Sequence, residues 1–148
     1  MSHLADEGIK SMNRAAENAV KEATPIFVDA IKNISIKDAQ SILMGNENAA
    51  TVYLQTATNQ TLNAKLQPII KQSMSKVGAD LIWNSIISKY NAFPLTGKVN
   101  PDISSYVTEQ TLKSVFKVIA IEEKNIRTDL NSRTSNLLQQ VFAMQDNK

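Results

Sequence analysis

The sequence predicts an all-α fold, and three observations carry that prediction. Apolar residues recur at three- and four-residue spacing almost throughout the chain. No stretch sustains the strict alternation of a half-buried strand. Ser, Thr, Asn and Asp stand where helices should start, and Gly where two should stop. Only four Gly and four Pro occur among 148 residues, few for a chain built on tight turns.

The first helix is expected from Leu4 to Glu22, with Ala5, Ile9, Met12, Ala16, Ala19 and Ala23 facing inward. Such small residues let a neighbouring helix approach closely. Thr24 suits an N-cap and Pro25 a first helical position, so a short helix should run from Ile26 to Lys32. Ser35 is expected to cap the next, with Asp38 three residues on as a short capping box, and Gly45 should end it. Asn46 is expected to cap a helix reaching about Ala57.

A longer helix should span Gln60 to Val77, with Leu62, Leu66, Ile69, Ile70, Ser73, Met74 and Val77 on one side. Pro68 lies inside it and should kink it, because proline removes one ladder hydrogen bond. Gly78 should end it, and Asp80 should cap a helix holding Leu81, Ile82, Trp83, Ile86, Ile87 and Tyr90. Residues 91–101 form the longest irregular stretch, followed by a short helical turn at Asp102. Thr108 should cap the most apolar helix, and Thr134 a last amphipathic one bearing Leu137, Leu138, Val141 and Phe142.

Seven or eight unequal helices do not make a symmetric bundle, so the architecture expected is an irregular array in one domain over residues 1–148. Its centre should be the helix over 109–127. Val115, Phe116, Val118, Ile119, Ala120 and Ile121 cover nearly its whole circumference, the pattern of a buried helix. No internal repeat is evident. The opening Met1-Ser2-His3 is expected to be a remnant of expression, with the natural chain extending further at its N-terminus.

Composition narrows the chemistry. Apolar residues make up 43% and charged residues 20%, enough for a real core. A net charge of +2 is too small to imply nucleic acid or a membrane surface. The charge is uneven, however: residues 51–100 carry Lys65, Lys71, Lys76, Lys89 and Lys98 against Asp80 alone, which reads as a solvated face or, less simply, as a docking face for an acidic partner. Without cysteine there is no disulfide, thiolate nucleophile or Cys-ligated metal. No apolar run reaches the roughly 18 residues needed to span a bilayer.

Catalytic signatures are weak. His3 is the sole histidine and stands in the presumed remnant, which leaves no Ser-His or metal-His arrangement. Ser73-Met74-Ser75-Lys76 and Ser114-Val115-Phe116-Lys117 match Ser-x-x-Lys, but the two companion motifs of penicillin-binding proteins are absent. There is no Gly-rich phosphate loop. Asp6-Glu7 and Glu122-Glu123 are the only adjacent acidic pairs, and neighbours on a helix point about 100° apart, so neither pair converges unaided. No catalytic, cofactor-binding or metal-ligating residue is therefore assigned, and no cofactor is implied.

Two groups remain. Trp83, Tyr90 and Phe93 lie near the irregular loop, where they suit core packing, a loop anchor or the wall of an apolar pocket. Glu123 falls inside the apolar stripe of Leu112, Val115, Phe116, Ile119 and Ile126, roughly 40° from Ile119 at about 100° per residue. A carboxylate there must be paired, hydrogen-bonded or placed at a cavity. Arg127 follows four residues on, and Arg14, Lys89 and Tyr90 are candidate partners from other helices. The candidate functional cluster is thus Glu123, Arg127, Arg14, Lys89, Tyr90, Trp83 and Phe93.

Several stretches occur together in a characteristic order. They are Ser11 to Glu17, Pro25 to Ile31, Ala50-Thr51 with Tyr53-Leu54, Pro68-Ile69-Ile70, and Tyr106-Val107-Thr108. Glu122-Glu123-Lys124 with Ile126-Arg127, then Arg133-Thr134 and Leu137-Leu138, complete the set. In these the chain resembles the bacterial family catalogued as domain of unknown function 4197, over nearly its whole length. The resemblance implies an exported envelope protein, periplasmic or at the outer envelope, carrying a signal or lipoprotein leader before this region. It supplies no activity, cofactor or catalytic residue.

The function expected is accordingly that of a non-enzymatic helical envelope domain that binds a partner protein or an apolar, lipid-like molecule. The alternatives are a carboxylate-based hydrolase around Glu123 and a purely structural interaction module. An open apolar cavity would favour the ligand reading, convergent acids the enzyme, and a closed core with an exposed apolar patch the interaction module.

Overall fold

The computed structural model of the protein describes residues 2–147, with the side chains of Asp6 and of residues 9–147. His3 and Ala5, both singled out above, lie outside the described side chains. Seven α-helices and one 3-10 turn follow in order: α1 (Ser2–Lys21), α2 (Ala23–Lys32), α3 (Ile36–Leu43), α4 (Ala49–Lys76), α5 (Ala79–Asn91), α6 (Ile103–Thr128), the 3-10 turn Leu130–Ser132, and α7 (Asn136–Asp146). No strand occurs among the described residues. The chain divides into two compact units, Met1–Pro25 with Gln60–Leu112 and Ile26–Asn59 with Lys113–Lys148. The long α4 and α6 are the central elements and contribute to each unit, so the single central helix expected from the sequence is one of two.

In the first unit, Leu62, Leu66, Ile70 and Met74 lie fully buried at four-residue intervals along α4. Ala15 and Ala19 of α1 and Ala23 of α2 are buried on the same spacing. Ile9 is more than half exposed, so the inward face of α1 runs through Ala15 rather than through Ile9. Pro68 stands inside α4, which continues through it. After Val77, Gly78 adopts φ 68°, a left-handed conformation that costs a side-chain-bearing residue about 1–2 kcal/mol, and it opens α5 without any side-chain cap. Asp80, expected as that cap, instead accepts hydrogen bonds from the Leu81 amide (2.9 Å) and the Ser75 hydroxyl (2.8 Å).

In the second unit, Ser35 caps α3 as predicted: its Oγ accepts from the Asp38 amide at 3.0 Å and donates to the Asp38 carboxylate. Helix α3 ends at Leu43. A Cβ on Gly45 would come within 2.8 Å of the Ala49 Cβ, so glycine is required there by close approach and not by its backbone angle. Phe27 meets Phe116 edge to face, with centroids 5.9 Å apart. Ser135, one residue beyond the expected Thr134, caps α7 by accepting from the Leu138 amide.

Three other expectations are corrected. The helices predicted on either side of residues 58–59 are one, because Thr58 is fully buried in line with Leu62 and its hydroxyl returns to the Leu54 carbonyl at 2.6 Å. Helix α6 begins at Ile103, not Thr108. Asp102 accepts from the Ser104 amide at 2.9 Å and the Ser105 amide at 3.4 Å, while Thr108 is buried mid-helix with its hydroxyl on the Ser104 carbonyl. Nor is α6 buried all round. Ser104, Thr108, Leu112, Phe116, Glu123 and Arg127 form one buried line, while Val118 and Ile121 face solvent. Single exposed apolar residues of this kind are ordinary on protein surfaces.

Candidate functional site

In the second unit, the buried line of α6 ends in two charged residues. Glu123 is 7% exposed and Arg127 6% exposed. They stand one helical turn apart, with Arg127 Nε donating to Glu123 Oε1 at 2.9 Å. An exposed pair of this kind is worth only about 0.2–0.5 kcal/mol, too little to offset the burial of two charges. The remainder comes from helix ends.

The first amides of a helix and its last carbonyls have no partners within the helix. Glu123 takes the first. Its Oε1 accepts from the Ala50 amide at 2.8 Å, and its Oε2 accepts from the Thr51 amide at 2.8 Å and the Thr51 hydroxyl at 2.7 Å. A carboxylate offers about four acceptor sites, and all are used. The negative charge also sits against the positive end of the α4 dipole. This is the cap that the sequence assigned to Asn46. Arg127 takes the last carbonyls of α3, donating from Nη1 to Leu43 O and from Nη2 to Ile42 O, both at 2.8 Å. Nη1 also donates to Gln145 Oε1 at 2.7 Å.

The network continues into α7. Arg133, 3% exposed, donates from Nε to the Ile126 carbonyl (2.8 Å) and from Nη2 to the Arg127 carbonyl (3.1 Å), closing the end of α6. Its remaining donors form a two-pronged pair with Asp146 at 2.6 and 2.9 Å. The Phe142 ring lies 5.7 Å from both guanidinium carbons. No buried side-chain nitrogen or oxygen among the described residues lacks a partner.

These contacts set the charge states. Burial pushes the Glu123 carboxyl up, but the Thr51 hydroxyl, the Ala50 and Thr51 amides and Arg127 together outweigh it, and the group lies below the usual 4.5. Asp146 is held below its usual 3.8, chiefly by its bond from Arg133. In the first unit Asp102 is also lowered, chiefly by the Ser104 hydroxyl.

The expected partners of Glu123 are thus corrected. Its second helix is α4, through Ala50 and Thr51, and not a helix bearing Arg14, Lys89 or Tyr90, which belong to the first unit and are exposed. In that unit Trp83 anchors a loop: its ring stacks on Tyr106 with centroids 6.5 Å apart, and its Nε1 donates to the Asn100 carbonyl at 3.4 Å. Tyr90 and Phe93 are not core residues. They are 43% and 65% exposed, and Ile82, Ile86 and Leu95 are 59%, 55% and 98% exposed beside them. The loop itself is held at its base. Asn91 pairs with both backbone groups of Val99 at 2.8 Å, and the Thr96 hydroxyl lies on the Tyr90 and Phe93 carbonyls.

Each unit has an open cleft among its described residues. That of the first, about 260 Å³, is lined by Lys71, Asp80, Asn84 and Asp102 among others; that of the second, about 270 Å³, by Glu47, Arg127 and Gln145. Both fall below the roughly 300–1,000 Å³ of typical ligand pockets. Among the described residues no three His, Cys, Asp or Glu side chains gather as a metal site would require, and no helix is long and apolar enough to cross a membrane.

Sequence reasoning missed Thr51, Arg133, Phe142 and Asp146. Arg133 pairs with Asp146, which lies thirteen residues on, outside any helical spacing. Residues 1–143 match the family model described as "Protein of unknown function (DUF4197)". No curated protein and no solved structure matches. Ala50, Thr51, Glu123, Arg127 and Arg133, among the residues that carry the resemblance, are the members of the buried network.

Proposed function

The chain belongs to the DUF4197 family, and from its own surfaces we propose that it is a non-catalytic docking module that engages its target through α5 and the loop after it. One observation carries this reading. Ile82, Ile86 and Tyr90, spaced four residues apart, span about 80° of one side of α5, and Phe93 and Leu95 continue the apolar surface into the loop. Exposed side chains of this size, adjacent on one helix and its loop, mark an interaction surface more often than isolated ones do.

Glu123 supports the same reading from the other direction. Its carboxylate is filled by hydrogen bonds to helix ends and held in its charged form, which is the work of a structural cap and leaves no lone pair for a substrate proton. The hydrolase alternative has no comparable support. An envelope location belongs to the proposal and rests on the family resemblance; recovery of the native protein only from cytosol would overturn it.

The chain has no cysteine, which makes docking directly testable. Single cysteines at Ile86 and Leu95 should react with a maleimide quickly in the purified protein and at least several-fold more slowly in its own cells. A cysteine at exposed Lys37 should react equally in both. Equal rates at all three positions would overturn the docking reading.

A further inference from the structure

We infer that the surface formed by α5 and the loop tip at Phe93-Pro94-Leu95 docks onto an anionic lipid bilayer. The inference rests on the docking reading above and names the target. Three features of the first unit point to a lipid surface.

The first is shape. Leu95 is 98% exposed and Phe93 65% exposed, and Pro94 between them is exposed as well. These residues form a projecting tip. A projection suits insertion among lipid headgroups, where the apolar side chains reach the acyl boundary. The ridge of Ile82, Ile86 and Tyr90 supplies an amphipathic helix face beside that tip.

The second is preorganisation. The paired bonds between Asn91 and Val99, the Thr96 hydroxyl on two carbonyls, and the Trp83 indole on Asn100 fix the base of the loop. The tip is presented before any target arrives, so little ordering cost attends its insertion.

The third is charge. Lys89 lies on α5, about 20° round the helix from Ile82, Lys98 lies in the loop after it, and both are exposed. The single acid between residues 71 and 101, Asp80, is half-buried and bonded to Ser75 and Leu81. Lysines beside an apolar face attract anionic headgroups, each strengthening binding about fivefold near such a surface. A second copy of the chain would bring the same lysines face to face, which disfavours self-association through this ridge.

Sedimentation of the full chain with phosphatidylcholine vesicles, with and without phosphatidylglycerol, tests the inference. Binding is expected to the anionic vesicles and to fall as salt is raised. Replacing Phe93 and Leu95 together by Ser should weaken it roughly tenfold or more. Lys89→Gln with Lys98→Gln should weaken it roughly 25-fold. All four side chains are exposed, so the fold should persist, and a helical circular dichroism spectrum would verify that. A nitrobenzoxadiazole label on Leu95→Cys should shift to the blue with anionic vesicles, and the same label on Lys37→Cys should not.

Absence of vesicle binding, or binding indifferent to the Phe93 and Leu95 changes, would overturn the inference. If Ile86→Cys and Leu95→Cys were nevertheless shielded in cells, the docking reading would survive with an acidic protein as its target. Association into dimers that depended on the same residues would overturn the bilayer inference in favour of a second copy. Failure of both shielding and vesicle binding would remove the two readings together.

Discussion

Glu123 and Arg127 stand one turn apart on α6, and each closes the end of a different helix. The carboxylate takes the first amides of α4, and the guanidinium takes the last carbonyls of α3. The pair therefore fixes the path of residues 44–48, which join α3 to α4, from both sides.

Removing the carboxylate strands Arg127 at 6% exposure. Glu123→Ala should cost about 3–5 kcal/mol, the range for breaking a buried pair. Glu122→Ala, at an exposed position, should stay within about 0.5 kcal/mol. Urea unfolding of the two variants checks this. Equal small effects would show that the cap contributes little.

Lysine should not replace Arg127. The guanidinium reaches Glu123, Ile42 O, Leu43 O and Gln145 from three nitrogens at once, and an ammonium on a flexible stem cannot cover that spread. Arg127→Lys should lose about 2–4 kcal/mol, as expected for one or two charged hydrogen bonds left unmade. The same unfolding measurement, set beside Arg127→Ala, shows how much a lysine recovers.

Acid should destabilise the protein through specific carboxylates. Glu123, Asp102 and Asp146 all lie below their usual values of 4.5, 3.8 and 3.8 when folded. A depressed folded pKa favours the folded state at pH above the unfolded value. That advantage is lost as pH falls through the folded value. Stability should thus be flat near neutrality and should decline below about pH 4.5. In Glu123→Gln the acid decline should be shallower, although the variant starts from lower stability at neutral pH. A decline as steep as that of the parent would exclude Glu123 from the linkage.

Two glycines should respond to alanine for opposite reasons. At Gly45 the added methyl meets the Ala49 Cβ at 2.8 Å, an overpacking expected to cost about 1–3 kcal/mol. At Gly78 there is open space, but φ is 68°, and the strain should cost about 1–2 kcal/mol. Adding Ala49→Gly should relieve Gly45→Ala in part, since the Ser41 and Ile42 carbonyls still meet the methyl at 3.1 and 3.2 Å, and should leave Gly78→Ala untouched, which thermal unfolding of the double variants would reveal.

Much of the fold was legible because helical periodicity and local caps act over three or four residues. Ser35 with Asp38, the stop at Gly78 and the burial of Leu62 through Met74 all follow from such spacing. The burial of Glu123 was legible for the same reason, since its angle on the α6 stripe is a local property. What was not legible depends on the path of the chain. Thr51 reaches Glu123 across 72 residues, and Arg127 reaches Ile42 across 85. The boundary at Thr108 was misplaced because Thr reads as a cap in sequence, whereas its hydroxyl here returns to the carbonyl four residues back, as that of Thr58 does within the unbroken α4. The exposure of Ile82, Ile86 and Tyr90 was hidden because a helix presents the same apolar pattern whether a neighbour covers it or not.

The distance along the chain between each helix end and its cap also orders events during synthesis. Helix α3 has eight residues, fewer than the roughly 12–15 at which an isolated helix becomes even marginal in water. Its C-terminal carbonyls wait for Arg127, and the amides at the start of α4 wait for Glu123. A chain leaving the ribosome from its N-terminus therefore exposes both ends before either cap has been translated. Loop closure over more than seventy residues then has to precede their protection from solvent exchange. Slowly exchanging amides at Ala50 and Thr51 should appear together with those of α6, however early the first half of the chain was made.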